Sequence, residues 1–364
     1  MKILILTNYD LGLYKFRREL LETLVRDHTV EVCVPEGDYT DRIRNLGCSV
    51  IPCALLDRRS MNPVKDLRLY RFYRNLIRDR QPDAILTYTI KPNVYGGYAA
   101  ARARVPYFAN ITGLGTSIEN GGLLARISTA LYRRGLRHAA CVFFQNADNQ
   151  ALFTQNRIVQ GRTRLIPGSG VNLTQHCVEP YPSDEDGVRF LFVGRIMRDK
   201  GIGELLEAIR RLHAEEPAVT LDVVGWCDED YAKALAQAQD DGVIRYHGLQ
   251  DNVHTFYANC HCAVLPSYHE GTANVMLEAS ATGRPVVTTT VPGCKGTFDE
   301  GETGFGCKAR DAESLYHAMR RFLELSQDRR AAMGLAARKK MDREYDRGIV
   351  IDRYLDELSR IGSI

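Results

Sequence analysis

The chain has 364 residues, of which 45% are hydrophobic and 26% are charged, and its formal net charge is +3. This composition is that of a globular protein, and the length favours two domains of roughly 150 to 200 residues over a single core. No apolar run reaches the roughly 18 residues that a membrane-spanning helix needs, and residues 1–7 are too short for a signal peptide, so we expect a cytoplasmic protein.

Ten cysteines occur without a CxxC pair. This pattern predicts reduced, mostly buried thiols and argues against a disulfide framework. Cys260-His261-Cys262 is the one cluster among the cysteines, and no second ligand pair follows it nearby. Because structural zinc sites use four ligands, we interpret this cluster as core and predict no metal.

Short β-rich runs alternate with helical stretches, which favours parallel sheets covered by helices. The first series of runs is 2–7, 29–34, 49–54, 84–89, 107–111 and 141–145, and the second is 189–193, 220–224, 244–247, 263–266 and 285–290. The predicted fold is α/β with two Rossmann-like doubly wound domains. We expect a first domain at 1–170, a linker at 171–187, a second domain at 188–345 and a helix at 346–364 that packs back on the first domain. Ligands of such sheets bind at the carboxyl ends of the strands, so the two domains should face a cleft.

The loop after the first predicted strand lacks the GxGxxG pattern, and this disfavours a dinucleotide site. In that loop Gly12 is predicted to turn tightly, beside Tyr14, and Lys15 and Arg17 to open a helix. Gly113-Leu114-Gly115 fails the same test because the third glycine is missing.

Charge is divided unevenly along the chain. Residues 1–175 contain about 25 Lys and Arg against about 14 Asp and Glu, so this half carries roughly +11 and the remainder roughly −8. The first half should therefore prefer an anionic partner. Its basic residues concentrate in three groups, which are Arg58 and Arg59, then Arg68, Arg71, Arg74, Arg78 and Arg80, and then Arg126, Arg133, Arg134 and Arg137.

Residues 121–137 have the pattern of a cationic amphipathic helix, with apolar residues at Leu124, Ile127, Leu131 and Tyr132. Such a helix lies on an anionic membrane surface. A surface helix whose apolar stripe faces the sheet of an α/β domain explains the pattern equally well. Nucleic acid is disfavoured because no aromatic stacking platform accompanies the basic residues.

The loop after the strand at 189–193 carries two cations at a strand-to-helix junction. Arg195 and Lys200 follow Gly194 and precede Gly201. Two fixed cations can neutralise a diphosphate that becomes a leaving group. Further on, Asp228-Glu229-Asp230 is predicted to begin a helix as N-terminal acids and not to bind a metal.

Glu270 and Glu278 bracket a segment that follows the strand at 263–266 and opens a helix ending near Gly283. The intervening Gly271, Thr272 and Ala273 place backbone N–H groups at the helix start, where an anion such as a phosphate can bind. Carboxylates beside such amides accept hydrogen bonds from vicinal hydroxyls. The segment therefore predicts a pocket for a nucleotide-linked sugar, although acids in a first helical turn can also simply stabilise the helix dipole.

Together these motifs resemble the retaining glycosyltransferases of the group 1 / family 4 type, which include bacterial capsule, O-antigen and N-glycan assembly enzymes and have the GT-B fold. The resemblance covers nearly the whole chain. It rests on Gly194-Arg195, Asp199-Lys200-Gly201, the E-x7-E pair Glu270 and Glu278, Tyr246-His247-Gly248, Pro292-Gly293-Cys294 and Gly301-Glu302-Thr303-Gly304. Thr89-Ile90-Lys91-Pro92-Asn93 and Asn110-Ile111-Thr112-Gly113-Leu114-Gly115 look like the branch that extends polyprenyl-diphosphate-linked sugars.

The resemblance implies a role for each residue. Arg195 and Lys200 would hold the donor diphosphate, Glu278 the ribose hydroxyls and Glu270 the hydroxyls of the transferred sugar. The remaining donor contacts would come from Gly194, Gly225, His247, Gly271, Thr272, Ala273 and Asn274. Acceptor or cleft residues would be Gly12, Tyr14, Lys15, Arg17, Lys91, Asn93, Thr112 and Gly113. Many relatives have a histidine near the sugar where this chain has Ile90 and Thr112, and Lys91 is the charge that could substitute.

The activity implied is transfer of a hexose or N-acetylhexosamine (GalNAc, GlcNAc or Gal) from a UDP-sugar to a polyprenyl-diphosphate-linked saccharide. The departing phosphate would deprotonate the incoming hydroxyl on the same face of the sugar, so neither a metal nor another cofactor is expected. The enzyme would lie peripherally on the inner face of the plasma membrane. A UDP-sugar 2-epimerase of the same fold and a non-catalytic donor-binding subunit of a membrane complex are the alternatives.

Overall fold

The computed structural model describes residues 1–56, 62–113 and 122–361, without the side chains of Leu123 and Leu124. Arg58 and Arg59, and the glycine at Gly115, lie outside these residues. The chain divides into two compact units, of which unit 1 is Met1–Ser169 with Gly348–Ile364 and unit 2 is Gly170–Arg347.

Unit 1 contains a parallel sheet whose described strands have the order β3-β2-β1-β4-β5-β6-β7. The strands are β1 Lys2–Leu6, β2 Thr29–Val34, β3 Ser49–Pro52, β4 Ala84–Tyr88, β5 Tyr107–Ile111, β6 Cys141–Phe144 and β7 Thr163–Leu165. The helices are α1 Asp10–Asp27, α2 Thr40–Asn45, α3 Pro63–Arg80, α4 Gly97–Ala103, α5 Gly122–Leu136 and α6 Ala147–Gln155. Strands such as β1 and β4 are apolar almost throughout because helices bury both faces of a parallel sheet.

Unit 2 repeats this plan with the strand order β10-β9-β8-β11-β12-β13. Its strands are β8 Arg189–Val193, β9 Thr220–Val224, β10 Ile244–Tyr246, β11 Cys262–Leu265, β12 Val286–Thr289 and β13 Gly304–Cys307. Its helices are α7 Ile202–Glu215, α8 Ala232–Asp240, α9 His254–Asn259, α10 Asn274–Ala281, α11 Ala312–Leu323 and α12 Gln327–Lys340. The predicted α/β class with two Rossmann-like domains is confirmed.

The last helix, α13 Arg347–Ser359, completes the core of unit 1. The Tyr354 ring lies 4.5 Å from that of Phe143, and its hydroxyl hydrogen-bonds to Asn110. Glu357 is 2% exposed and accepts hydrogen bonds from Arg162, which precedes β7, and from Arg164 in β7. Burial alone would raise the pKa of Glu357, but these two guanidinium groups hold the pKa below its usual range.

Residues 171–187, which the sequence predicts as a linker, belong to unit 2 and pack against the rest of it. The fully buried Arg284 donates hydrogen bonds to the carbonyls of Glu179 and Pro180, at 3.1 and 2.7 Å. The Tyr181 hydroxyl donates to the carbonyl of His261 at 2.8 Å. These bonds satisfy a buried charge and at the same time fix the path of the segment.

Candidate functional site

The order of the strands in unit 2 reverses between β8 and β11, which are neighbours in the sheet although three strands apart in the chain. The connections that leave β8 and β11 run in opposite directions across the sheet, so the loops at the carboxyl ends of the two strands separate and leave a crevice between them. Residues 194–201 follow β8, and residues 266–273 follow β11. The two sequence motifs with the predicted cations and carboxylates therefore meet at the topological switch point.

Lys200 and Glu270, which the sequence places 70 residues apart, form a direct ion pair. The side chains are 19% and 15% exposed, so the pair is mostly shielded from solvent. Backbone contacts position it, because the Tyr268 amide and the Ser267 hydroxyl both donate to the carbonyl of Asp199, at 2.9 and 3.2 Å. The loop after β11 thus holds the loop after β8 next to the lysine.

Two glycines permit this close approach of backbones. Gly201 has a φ of +70°, and a Cβ there would lie 2.2 Å from the carbonyl oxygen of Pro266. Gly293 has a φ of +83°, and a Cβ there would lie 2.4 Å from the carbonyl oxygen of Glu270. Neither position tolerates a side chain. The next residue, Cys294, is packed beneath the site, where burial and then the charge of Glu270 raise the pKa of its thiol to about 12.

Arg195 is paired with Asp228, at 3.2 Å between Nη1 and Oδ2. The prediction that Asp228 begins a helix is wrong, since α8 begins at Ala232. Asp228 instead lies in the loop after β9, where its carboxylate faces the guanidinium of the neighbouring loop. The sequence gives no sign of this pairing, because a run of three acids before a helical pattern is also the usual pattern of a helix start.

Glu278 lies on α10 and accepts a hydrogen bond from the Tyr257 hydroxyl, at 2.9 Å. Burial and then the adjacent Glu278 charge raise the pKa of Tyr257 well above its usual value, so the phenol stays protonated and donates. Tyr257 lies on α9, and the sequence analysis did not single it out. An aromatic residue in a short helix is usually read as core, and Tyr257 is indeed fully buried.

The backbone between the two glutamates differs from the predicted row of open amides. The Ala273 amide donates to the carbonyl of Gly293 and the Asn274 amide to that of Thr272, both at 2.9 Å. These two donors are therefore used within the chain. Thr272 and Ala273 are also buried, and Gly271 and Asn274 are the partly exposed residues of the segment. The prediction of open backbone amides along this segment is therefore wrong for Ala273 and Asn274.

The remaining predicted donor residues lie along the same edge of the sheet. Gly225, with a φ of +143°, follows β9, and a Cβ there would lie 1.8 Å from the carbonyl oxygen of Gly194. The His247 Nε2 lies 2.7 Å from Oδ1 of Asp222, and the imidazole packs against Phe256. In this structure His247 therefore orients toward a strand residue of β9.

In unit 1 the helix that Lys15 and Arg17 are predicted to open begins five residues before Lys15. Helix α1 begins at Asp10, so Gly12, Tyr14 and Lys15 lie in its first two turns and Gly12 makes no tight turn. Arg17 is 4% exposed, and its guanidinium lies 5.6 Å from the centre of the Tyr88 ring. The prediction of Arg17 as a cleft residue is therefore wrong, because the cation is buried among aromatic side chains.

The motif from Thr89 to Asn93 likewise contains one partly exposed candidate, Lys91, and one buried candidate, Asn93. Lys91 forms an ion pair of 2.9 Å with Asp66. Asn93 is completely buried, and its side-chain amide donates to the carbonyl of Asn110 while its oxygen accepts from the Thr87 hydroxyl. Asn93 thus satisfies polar groups inside the unit and does not line a cleft. Thr112 and Gly113 follow β5 and are partly exposed.

The switch point of unit 1, between β1 and β4, holds Asn8 and Thr89, for which the sequence predicted no role in a site. Thr89 follows β4 with a φ of +71°, a conformation that is strained for a β-branched residue. Its hydroxyl oxygen and the side-chain oxygen of Asn8, which follows β1, are buried without a hydrogen-bond partner in the described structure. A strained threonine cannot be read from residue type, since threonine ordinarily favours extended backbone.

Helix α5 separates its apolar residues onto two faces. Tyr132 and Leu136 are buried against unit 1, and Gly135 allows contact with the backbone of Val94. Ile127 and Leu131 are 45% and 37% exposed. The prediction of one stripe that includes Tyr132 is therefore wrong, because the buried and exposed residues point in different directions.

The four predicted membrane-facing arginines of this region, Arg126, Arg133, Arg134 and Arg137, are all exposed. Arg133 also donates to the carbonyls of Asn156 and Arg157 at the end of α6, and Arg134 to the Tyr98 hydroxyl. Among the described helices, none is long and apolar enough to cross a membrane.

Comparisons with known families identify both units. Residues 12–168 match the model of a glycosyl transferase 4-like domain, and residues 187–325 match that of the group 1 glycosyl transferases. The chain is 27% identical to the N,N'-diacetylbacillosaminyl-diphospho-undecaprenol alpha-1,3-N-acetylgalactosaminyltransferase of Campylobacter jejuni, over 99% of both chains. It is 30% identical to the capsular polysaccharide biosynthesis glycosyltransferase CapM of Staphylococcus aureus, over 44% of this chain and 42% of that protein.

Solved structures share the architecture at lower identity. HepE of Anabaena, in complex with UDP and glucose, aligns with a TM-score of 0.79 and 20% identity over 99% of this chain and 100% of that one. Sucrose-phosphate synthase of Thermosynechococcus elongatus aligns with a TM-score of 0.80 and 20% identity over 99% and 98% of the two chains. At this identity the likeness establishes the fold, which is GT-B.

Proposed function

We propose that this chain, which belongs to the group 1 / family 4 type of glycosyltransferases, moves a hexose or N-acetylhexosamine from a UDP-sugar to a polyprenyl-diphosphate-linked saccharide. The observation that carries the proposal is the similarity over 99% of both chains to the Campylobacter enzyme, whose name specifies such an acceptor. GalNAc, GlcNAc and Gal are the candidate sugars. The ion pair at the switch point of unit 2 supports the assignment of the donor site.

The donor site would work by exchange of partners. Lys200 and Arg195 each face one carboxylate in this structure, that of Glu270 and that of Asp228. A diphosphate carries more negative charge than either carboxylate, so it would compete for both cations. Lys200 would then contact the diphosphate, and the Glu270 carboxylate would turn to the hydroxyls of the sugar. Glu278, which Tyr257 holds in place, would accept hydrogen bonds from the ribose.

The proposed transfer proceeds with retention, as the family resemblance implies. The bond between C1 of the sugar and the diphosphate oxygen breaks, and a bond from C1 to the acceptor oxygen forms on the same face. The proton of the acceptor hydroxyl passes to the departing phosphate oxygen, and UDP leaves. Arg195 and Lys200 would stabilise the charge that develops on the leaving group, so the proposed reaction uses no metal.

Helix α5 would bring the enzyme to its lipid-linked acceptor. Ile127 and Leu131 are exposed apolar residues on a helix with four exposed arginines. Apolar side chains that enter the headgroup region and cations that contact anionic lipids together give reversible binding to a membrane surface. We place the enzyme peripherally on the inner face of the plasma membrane.

The test is release of UDP by the purified chain with a panel of UDP-sugars, with and without a short-chain polyprenyl-diphosphate-sugar. We expect release that requires one donor together with the acceptor, and almost none from the Glu270→Ala variant at unchanged melting temperature. Interconversion of UDP-sugars without acceptor would instead identify an epimerase. Tight donor binding without turnover would identify a non-catalytic subunit.

A further inference from the structure

A second cluster of reactive side chains lies in unit 2, apart from the residues of the donor site. Cys177 and Glu179 belong to the segment that enters the unit, and His254 is the first residue of α9. One ligand atom from each residue lies within 4.8 Å of the other two. The Cys177 Sγ lies 3.5 Å from Oε1 of Glu179 and 4.0 Å from Nε2 of His254, and the latter two atoms are 3.0 Å apart.

These distances fit a transition-metal ion. Tetrahedral zinc has bonds of about 2.3 Å to sulfur, about 2.05 Å to imidazole nitrogen and about 2.1 Å to carboxylate oxygen, so the ligand atoms are separated by about 3.6 Å for the two sulfur pairs and about 3.4 Å for nitrogen and oxygen. Each of the three observed separations lies within about 0.4 Å of its value. A set of sulfur, nitrogen and oxygen suits Zn²⁺ or Co²⁺ and not Mg²⁺ or Ca²⁺, which take oxygen.

The ligand-bearing backbone is held from below. Arg284 donates to the carbonyl of Glu179 at 3.1 Å and to that of Tyr257 at 2.9 Å, so one buried side chain ties the segment to α9. The Glu179 amide donates to the carbonyl of Thr282 at 3.2 Å. The cluster therefore needs little reorganisation to close around an ion, and this lowers the cost of binding.

The ligand atoms also have suitable chemistry. Oε1 of Glu179 accepts a hydrogen bond from the Cys177 thiol and lies 3.0 Å from Nε2 of His254, so one carboxylate oxygen faces both other ligand atoms. Nε2 of His254 faces the other two ligands, whereas Nδ1 is buried. His176 packs edge-on against the imidazole, with ring centres 5.6 Å apart, and limits its rotation. Cys177 is exposed, which leaves an entry path and room for water as a fourth ligand.

We infer that Cys177, Glu179 and His254 form a binding site for one Zn²⁺ ion, or a chemically similar ion, that is separate from the glycosyl-transfer chemistry. The thiol binds as thiolate and releases its proton to solvent. The ion joins the segment at 177–179 to α9. That helix also carries Tyr257, which holds Glu278. The metal thus crosslinks residues 177–179 to the helix whose Tyr257 contacts the proposed ribose-binding carboxylate.

Co²⁺ titration of the full chain tests the site, after removal of metal with a chelator and in a phosphine reductant. We expect one Co²⁺ per chain, with a near-ultraviolet thiolate-to-cobalt absorption band that Zn²⁺ removes. Cys177→Ser should abolish the band, and Glu179→Gln and His254→Gln should each weaken Co²⁺ binding at least tenfold. Cys227→Ser is the matched control, because Cys227 is a partly exposed thiol outside the cluster, and it should keep the band.

Thermal unfolding gives a second readout that does not depend on activity. Equimolar Zn²⁺ should raise the melting temperature of the wild-type chain and of Cys227→Ser, because an ion that binds the folded state stabilises it. The Cys177→Ser variant should show no such rise. Absence of the band in the wild-type chain, or its persistence in Cys177→Ser, would overturn the assignment.

Discussion

Replacing Glu270 with glutamine should have opposite effects on UDP binding and on turnover. In this structure Glu270 pairs with Lys200, and both side chains are less than one-fifth exposed. A diphosphate must take over this lysine, so the energy of the ion pair opposes donor binding. The glutamine variant removes the opposing charge while it keeps the shape of the side chain. We therefore expect it to bind UDP more tightly than the wild-type chain does.

The magnitude follows from the burial of the pair. Exposed ion pairs contribute about 0.2 to 1 kcal/mol, and loss of one partner of a fully buried pair costs about 3 to 5 kcal/mol. At 19% and 15% exposure the Lys200–Glu270 pair lies between these limits, and we assign it about 1 to 2 kcal/mol. Since about 1.4 kcal/mol is a factor of ten, the Kd for UDP should decrease by about 5-fold to 30-fold.

Turnover should change in the other direction. A hydrogen bond from a sugar hydroxyl to a charged acceptor contributes about 1.5 to 3 kcal/mol, and its weakening in the transition state should lower kcat on the order of 10-fold to 100-fold. Isothermal titration with UDP and a UDP-release assay measure the two effects separately. Glu313→Gln is the matched control, because Glu313 pairs with Arg211 elsewhere in unit 2. Equal or weaker UDP binding by Glu270→Gln would refute the partner-exchange argument.

Three further substitutions test the fold and the surface. Gly201→Ala should destabilise the chain by more than about 2 kcal/mol because of its positive φ and its contact with a carbonyl, whereas Gly203→Ala in α7, where a Cβ meets no atom within 4 Å, should be neutral or stabilising in urea unfolding. Glu357→Gln should lower the free energy of unfolding by about 2 kcal/mol at pH 7. The folded pKa of Glu357 lies below its unfolded value of about 4.3, so its contribution to stability is present above pH 4.3 and is lost as the pH falls through the folded pKa. The urea midpoint of the variant should therefore depend less on pH between 7 and 3 than that of the wild-type chain. Leu131→Glu should reduce cosedimentation with anionic vesicles several-fold, and Leu335→Glu, at an exposed leucine of unit 2, should not; equal loss in both would count against a membrane-facing α5.

The sequence was sufficient for the fold because periodicity is a local property. Each predicted strand corresponds to an observed one, and the two short strands β7 and β13 had no prediction. The local pattern also predicted that Lys200 and Glu270 lie in loops at the carboxyl ends of two strands, and the structure shows the two side chains in contact.

The side-chain partners could not be predicted in the same way, because they depend on tertiary contacts. Asp228 lies 33 residues from Arg195, and Tyr257 lies 21 residues from Glu278. Asn93 illustrates the opposite error, since a polar residue in a motif was read as a ligand contact although it satisfies buried backbone groups. A polar residue type does not reveal whether its hydrogen bonds go to a ligand or to the protein.

The placement of α13 has a consequence for biosynthesis. Tyr354 fills the core of unit 1 beside Asn110, 244 residues earlier in the chain. During synthesis the residues of Met1–Ser169 are made before Gly170–Arg347 but lack α13 until Arg347–Ser359 has also been made, whereas Gly170–Arg347 is one continuous stretch. Domains generally fold as units during synthesis, the amino-terminal one first. Here the order is reversed in part: unit 2 can reach its complete fold while unit 1 still exposes the apolar surface that α13 covers, and chaperones would bind the nascent chain at that surface.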